Sequence, residues 1–210
     1  VIYLKNLLPH KPAGELYTVL GRAKQGKTDR YRSLVKHQEK HNEKFVYAPG
    51  DRGLVMIVFT LPTLDIFIKV IRDQFAPPKS VSRKDVMERY RQVFGHDRAG
   101  RLADAQEFQY LKFNRELFED ALLEELISEA KVNVQTEGAD IVFRHCYIER
   151  RLTPLNLYLQ AADRRSAERV VYDYGQAIRD LALSNIFPGD LLLKNFGVTI
   201  HKRVIFYDYD

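Results

Sequence analysis

Apolar positions along this chain change period several times, and the changes mark its elements. Residues 1–43 carry helical spacing: Leu16, Val19 and Leu20 begin a face, and Tyr31, Leu34 and Val35 continue one beyond a break at Gly26. Three strand-like runs follow, Phe45 to Ala48, Leu54 to Leu61 and Asp65 to Ile71. Pro77-Pro78 breaks the chain, and Ser82 is placed to cap a helix from about Arg83 to His96 that buries Val86, Tyr90, Val93 and Phe94. A strand over 108–113 leads to a helix over 115–131 carrying Leu117, Leu122, Leu126 and Ile127, and then to a strand over 140–149. Glu149 to Leu152 reads as a connector, and Pro154 opens a short helix. A long amphipathic helix over 165–184, with Val170, Tyr174, Ile178 and Leu181 on one face, delivers the chain to Asp190. A last hairpin, Phe196 to Ile200 and Val204 onward, ends on Asp208.

After the helical start, the order of strands, helix, strands, connector, two helices and a closing hairpin predicts an α+β fold, and 210 residues suffice for one large domain or two lobes. No apolar run is long enough to span a bilayer and none reads as a signal peptide, so no membrane partner is expected. The formal charge of +5 is compatible with an anionic ligand, but the basic residues are dispersed, which argues against nucleic acid. The lone Cys146 sits in a strand-like run and fits a reducing cytoplasm. The chain begins at Val1 and stops on Asp210, and it reads as a piece of something longer.

Two stretches carry candidate chemistry. Gly21 to Thr28 matches the G-x-x-x-x-G-K-[ST] phosphate loop letter for letter, but no convincing strand precedes it and its interior is bulky. The alternative is a helical corner with exposed Lys24 and Lys27. The second stretch is ordered rather than local. Asp190 and Asn195 stand in an Asp-x-x-x-x-Asn spacing, and an apolar run then ends on Asp208. Upstream lie a glycine-containing turn over Ala48, Pro49, Gly50, Asp51, Arg52, Gly53 and Leu54, and Lys69 inside an apolar strand. Glu88 on the following helix is a candidate partner for Lys69, and Asp104 is an acid in a loop rich in Gly and Ala. Protein kinases place a phosphate-covering glycine turn, a strand lysine, a catalytic Asp, a metal-binding Asn and a metal-binding Asp in this order. Each residue alone reads as an ordinary turn or edge; the order is the signal.

The chain also resembles a particular family, the bacterial isocitrate dehydrogenase kinase/phosphatases. The matching segments are A-P-G-D-R-G-L-V-M (48–56), F-T-L-P (59–62), F-I-K-V-I (67–71), F-A-P-P-K (75–79), H-D-R-A-G-R-L-A-D-A-Q-E-F (96–108), Y-I-E-R-R (147–151), P-L-N (154–156), N-I-F-P-G-D-L-L-L-K-N-F-G-V (185–198) and V-I-F-Y-D-Y-D (204–210). A-K-Q-G-K-T (23–28) is similar to the stretch ahead of that family's kinase domain, so the likeness covers nearly the whole chain.

That resemblance implies a bilobal, kinase-like α+β fold. Its parts would be a helical tail of an upstream regulatory domain (1–43), an antiparallel N-lobe with an inserted helix (44–149), and a hinge with part of a helical C-lobe (150–210). It implies an enzyme that phosphorylates isocitrate dehydrogenase on a serine with ATP and Mg²⁺, and also removes that phosphate, at the branch between citric acid cycle and glyoxylate bypass in the cytoplasm. Carried over by position, 48–54 is the ATP loop and Lys69 the ATP-contacting lysine. Asp190 becomes the catalytic acid of phosphoryl transfer, Asn195 and Asp208 bind Mg²⁺, and Asp104 belongs to the phosphatase side. Pro188-Gly189 replaces the usual kinase His-Arg, and Asp208-Tyr209-Asp210 replaces Asp-Phe-Gly. A piece of this length is expected to be inactive alone. The residues themselves leave open a P-loop NTPase built on Gly21 to Thr28, a non-catalytic nucleotide-binding regulatory module, and, more remotely, a phosphatase with an Asp-x-Asp nucleophile at Asp208 and Asp210.

Overall fold

In the computed structural model, residues 2–7, 9, 12–50, 52–75, 77, 81–96, 100–102 and 105–208 are described, with backbone alone for 3–4, 7, 14–15, 17–26 and 94–96. The chain divides into two units, Val1–Lys44 and Phe45–Asp210.

The first unit holds helices α1 (Ile2–Leu7) and α2 (Ala13–Lys40). The break expected at Gly26 does not occur, and α2 runs through 21–28 without interruption. Gly21 and Gly26 in the helix interior cost only about 1 kcal/mol each, and Leu20, Arg22, Ala23, Lys24, Gln25 and Lys27 around them are good helix formers. Across the helix end, the ring of His37 in the last turn stacks on that of His41, with centroids 4.4 Å apart.

The second unit runs β1 (Val46–Tyr47), β2 (Met56–Thr60), β3 (Ile66–Ile71), α3 (Arg83–His96), β4 (Ala105–Phe108), β5 (Leu111–Asn114), α4 (Asp120–Glu129), β6 (Val134–Glu137), β7 (Asp140–Phe143), β8 (Cys146–Arg150), β9 (Thr153–Pro154), α5 (Leu155–Ala161), α6 (Arg164–Leu183), β10 (Phe196–Val198) and β11 (Val204–Phe206). Five strands form one antiparallel sheet in the order β1-β2-β3-β8-β4. Two three-stranded sheets complete the set, β11-β10-β9 and β5-β7-β6.

The central strands read as near-continuous apolar runs because both sheet faces are covered. On one face, Phe59 of β2 meets Phe45, Phe118 and Phe143, an aromatic cluster that also takes in Phe113 of β5. On the other, Met56, Ile71 and Tyr147 share a buried cluster with Val86 and Tyr90 of α3 and with Val170, Ala177 and Leu181 of α6. The Tyr90 and Tyr147 rings stack at 4.0 Å.

The architecture is α+β with antiparallel sheets, as expected, and its strand order with α3 between β3 and β4 is consistent with a kinase-like bilobal fold. Three local expectations change. The strand over 108–113 is two strands, because Tyr110 adopts φ 55° and turns the chain between β4 and β5. The run over 140–149 is likewise split into β7 and β8. The helix over 115–131 contracts to a short 3₁₀ turn at Arg115–Leu117 followed by α4.

Candidate functional site

β3 lies between β2 and β8, so Lys69 is held in a central strand rather than on an edge. Its register places it opposite Val58 on one side and Tyr147 on the other. Alternation then puts it on the face shared with Phe67, and with Glu149, which stands opposite Phe67. Lys69 Nζ lies 2.8 Å from Glu149 Oε2. It also sits 3.4 Å from Tyr90 Oη and 3.5 Å from the carbonyl oxygen of Tyr207. Tyr90 donates in turn to Glu149 Oε1 at 3.2 Å. Glu149 is therefore the partner of the lysine. The candidate Glu88 is exposed on α3, whose inward face is taken by Val86 and Tyr90. Glu149 belongs to β8 and not to a connector, and its place at the end of an apolar run, two residues after Tyr147, is the sequence signal for this.

The turn between β1 and β2 is built to stay close to the sheet. Ala48 N donates to Val58 O at 3.0 Å. Gly50 has φ +112°, a conformation that side chains disfavour. At Gly53 a Cβ would stand 2.6 Å from Met56 O, so only glycine lets the chain pass there. Ala48, Pro49, Gly50, Arg52, Gly53 and Leu54 all line a cleft of about 520 Å³, whose wall also includes Lys69, Glu149, Asn195 and Asp208. Asp51 lies outside the described residues.

On the far wall, a 3₁₀ turn at Leu193–Asn195 leads directly into β10 and buries Asn195. Asn195 Nδ2 donates to Asp190 Oδ1, and the Asn195 carbonyl accepts from Tyr207 N at 3.1 Å. The hairpin of β10 and β11, pairing Phe196 with Phe206, thus brings Asn195 beside the residue preceding Asp208. Asp190 is exposed, takes a second hydrogen bond from Leu192 N at 3.2 Å, and is not among the residues lining the cleft. Burial, with the nearby carboxylates of Asp208 and Glu149, pushes the Tyr207 phenol up to about 12. Asp104 lies outside the described residues.

Gly21 to Thr28 is not a phosphate loop. Its backbone is continuous helix, and N–H groups inside a helix are already bonded to the carbonyls one turn earlier.

Residues 43–210 match the family model described as the isocitrate dehydrogenase kinase/phosphatase (AceK) kinase domain, and residues 1–42 match that of the AceK regulatory domain. The chain belongs to the isocitrate dehydrogenase kinase/phosphatase family. It is 57% identical over 210 residues to the isocitrate dehydrogenase kinase/phosphatase of Anaeromyxobacter dehalogenans (strain 2CP-C) and 54% identical over 210 residues to that of Anaeromyxobacter sp. (strain Fw109-5). To the protein of that name from Xanthomonas euvesicatoria pv. vesicatoria (strain 85-10) it is 52% identical over 211 residues. Each match covers 100% of this chain and 36% of the relative, so the chain spans about a third of the length of the curated relatives it matches.

The donor chemistry of the far wall suits a magnesium ion in such a kinase domain. Because Asn195 turns its amide nitrogen to Asp190, its Oδ1 is left as an acceptor. Asp208 adds a carboxylate to the same cleft. Mg²⁺ takes hard oxygen ligands and is usually held by one or two carboxylates together with waters and substrate phosphates. Among the described residues no group of three or more His, Cys, Asp or Glu is arranged for a metal, so this pair would depend on a phosphate ligand to complete the site.

Proposed function

We propose that this chain carries the nucleotide-binding half of an ATP- and Mg²⁺-dependent protein serine kinase that also dephosphorylates its substrate, isocitrate dehydrogenase. In this reading 44–149 is the upper lobe and 150–210 the hinge and part of the lower lobe. The observation that carries it is the cleft of about 520 Å³ into which the glycine turn, Lys69, Asn195 and Asp208 all face. Lys69 and the turn amides would neutralise phosphate charge. Asn195 and Asp208 would hold Mg²⁺, which when bound would supply further positive charge to offset that of the phosphates. Asp190 would orient the serine hydroxyl, fixed by its hydrogen bonds from Asn195 and Leu192. Catalysis would then be mostly positioning and electrostatics. Dephosphorylation would use the same metal site, with Asp104 placing water or accepting its proton.

The relatives' shared name supports the substrate. Among the described residues no helix is long and apolar enough to cross a membrane. Cytoplasmic action, at the branch between citric acid cycle and glyoxylate bypass, belongs to the same proposal.

The test is Mg²⁺-dependent ATP binding by the complete protein beside its Lys69→Ala and Lys27→Ala versions. Binding lost in Lys69→Ala alone supports the cleft. Binding lost in Lys27→Ala alone overturns it. For the second activity, Asp208→Ala should lose both reactions and Asp104→Ala dephosphorylation alone; an unchanged phosphatase in Asp104→Ala removes Asp104 from the mechanism.

A further inference from the structure

The glycine turn is held from outside its own hairpin. Arg72, the residue after β3, donates from Nε to Gly53 O at 3.1 Å, and its backbone N donates to Val55 O at 2.9 Å. The same guanidinium donates from Nη2 to Glu125 Oε1 at 2.5 Å and from Nη1 to Glu129. Both glutamates belong to α4, within the block formed with β5, β6 and β7. Glu125 is buried and also accepts from Tyr47 Oη, at the root of the turn. Arg52, inside the turn, places Nη1 3.7 Å from Glu125 and its guanidinium 4.5 Å over the Tyr47 ring. One buried carboxylate therefore gathers both ends of the turn. Burial alone would raise its pKa, but the hydrogen bonds from Tyr47 and Arg72 outweigh burial and hold it below the ordinary carboxylate range, so it is charged.

The block is tied to β3 a second time. Asp73 N donates to Glu129 O at 2.7 Å, and the Asp73 carboxylate accepts from Lys131 N and Val132 N at 2.7 and 3.1 Å. A shift of α4 would be passed to Arg72 and to the turn. Neither Arg72 nor Glu125 has a part in phosphoryl transfer as set out above.

We propose that Glu125 is a positioning residue: acting through Arg72 it sets the height of the glycine turn over the cleft and so the affinity for the phosphate portion of a bound nucleotide. This rests on the nucleotide reading above. Arg72 and Glu125 line the rim of the same cleft, and through them the β5–α4–β6–β7 block becomes a point from which nucleotide binding is controlled.

The complete protein with Glu125→Gln and Arg72→Lys tests it. Glutamine keeps the volume and an acceptor for Tyr47 but loses the charge; lysine keeps the charge but loses the fork that spans Gly53 and α4. Each variant should exchange the amides of Ala48 and of residue 72, which bond Val58 O and Val55 O at the two ends of the turn, about tenfold faster than the parent, with those of β2 unchanged, and bind ATP about tenfold more weakly, as expected for losing a charge-assisted hydrogen bond. Adenosine, which has no phosphate for the turn to cover, should bind as to the parent. Leu122→Val, in the buried face of α4 and away from the turn, should lower stability without changing the ratio of ATP to adenosine affinity. Parent-like exchange in both variants, or equal loss of ATP and adenosine, overturns the proposal. A parent protein that binds no ATP in Mg²⁺ removes the nucleotide reading as well.

Discussion

Lys69 is neutralised from within its own sheet, by Glu149 on the neighbouring strand at 2.8 Å. Protein kinases draw this partner from the helix after the lysine strand, and control it by moving that helix. Here the strand register sets the distance, since Lys69 faces Tyr147 and Glu149 stands one pleat away on the same face. Among the described residues of the helix in that position, α3, it is the Tyr90 hydroxyl that reaches the pair. Moving α3 would remove a hydrogen bond from the pair, not the counter-charge.

The two contributions separate by mutation. The side chains of Lys69 and Glu149 are 10% and 2% exposed, so Glu149→Ala leaves a buried ammonium without its counter-charge. That should cost about 3–5 kcal/mol of unfolding free energy and abolish tight ATP binding. Tyr90→Phe removes one neutral donor and keeps the pair and the Tyr147 stack, so it should cost about 1 kcal/mol. Urea denaturation measures both; equal losses would show that α3, not β8, holds the lysine.

The far wall should answer to metal rather than to stability. Asp208→Asn keeps the shape but loses the charge that a divalent ion needs. It should erase the effect of Mg²⁺ on ATP affinity, read by titration with and without chelator, while leaving the melting temperature close to the parent's. Asn195→Ala should do the same and also free Asp190, which accepts from the Asn195 amide. A full Mg²⁺ effect in Asp208→Asn would remove Asp208 from the metal site.

Two glycines make opposite predictions. At Gly197, which pairs with Pro154 of β9, a Cβ would stand 2.6 Å from Cβ of the buried Leu152 just before that strand. Gly197→Ala should therefore cost about 1–3 kcal/mol of stability through overpacking. At Gly53 the obstacle is the carbonyl of Met56, also 2.6 Å away, and the exposed turn can move where the core cannot. Gly53→Ala should lower ATP affinity more than stability. Comparison of binding and urea midpoints for the pair checks the split.

Strands β2 and β3, helices α3 and α6 and the closing hairpin were legible because their apolar period is unambiguous and their boundaries carry Pro, Ser or Gly. The order of Lys69, Asn195 and Asp208 was legible for the same reason: each ends or interrupts such a run. Partnership was not. Glu149 and Glu88 are both acids near the right segment, and only strand register decides between them. Arg72 and Glu125 are far apart in sequence and meet because the chain folds α4 back against the end of β3, which no local period records. Gly26 shows the opposite case, since the preference of its neighbours for helix outweighs both Gly21 and Gly26.

The segment before β4 is locked to α6 by charge and to β11 by hydrogen bonds with its backbone, and the lock should open in acid. Arg101 is buried and donates from Nη1 and Nη2 to Asp173 at 2.8 and 3.0 Å, from Nε to Asp180 at 2.7 Å, and from Nη1 to Val204 O at 3.0 Å. Val204 N donates back to Asp173 at 2.6 Å, and Phe206 N to Arg101 O at 2.7 Å. Burial alone would raise the pKa of Asp173, but the hydrogen bonds from Arg101 and Val204 more than reverse it and hold the carboxyl below its usual range. A carboxyl depressed in the folded state stabilises the fold above its unfolded value of about 3.9, and that stability is lost as pH falls through the lower folded value. Arg101 is raised above its own high value and stays charged throughout, so the window belongs to Asp173. Asp173→Asn should cost about 3 kcal/mol at neutral pH, because it leaves a buried guanidinium undercompensated. It should also flatten the decline in stability below about pH 4, since one of the groups that titrates there is gone. Urea melts of parent and variant between pH 3 and pH 7 measure both. An Asp173→Asn protein with the parent's full acid slope would show that the lock carries no linked proton.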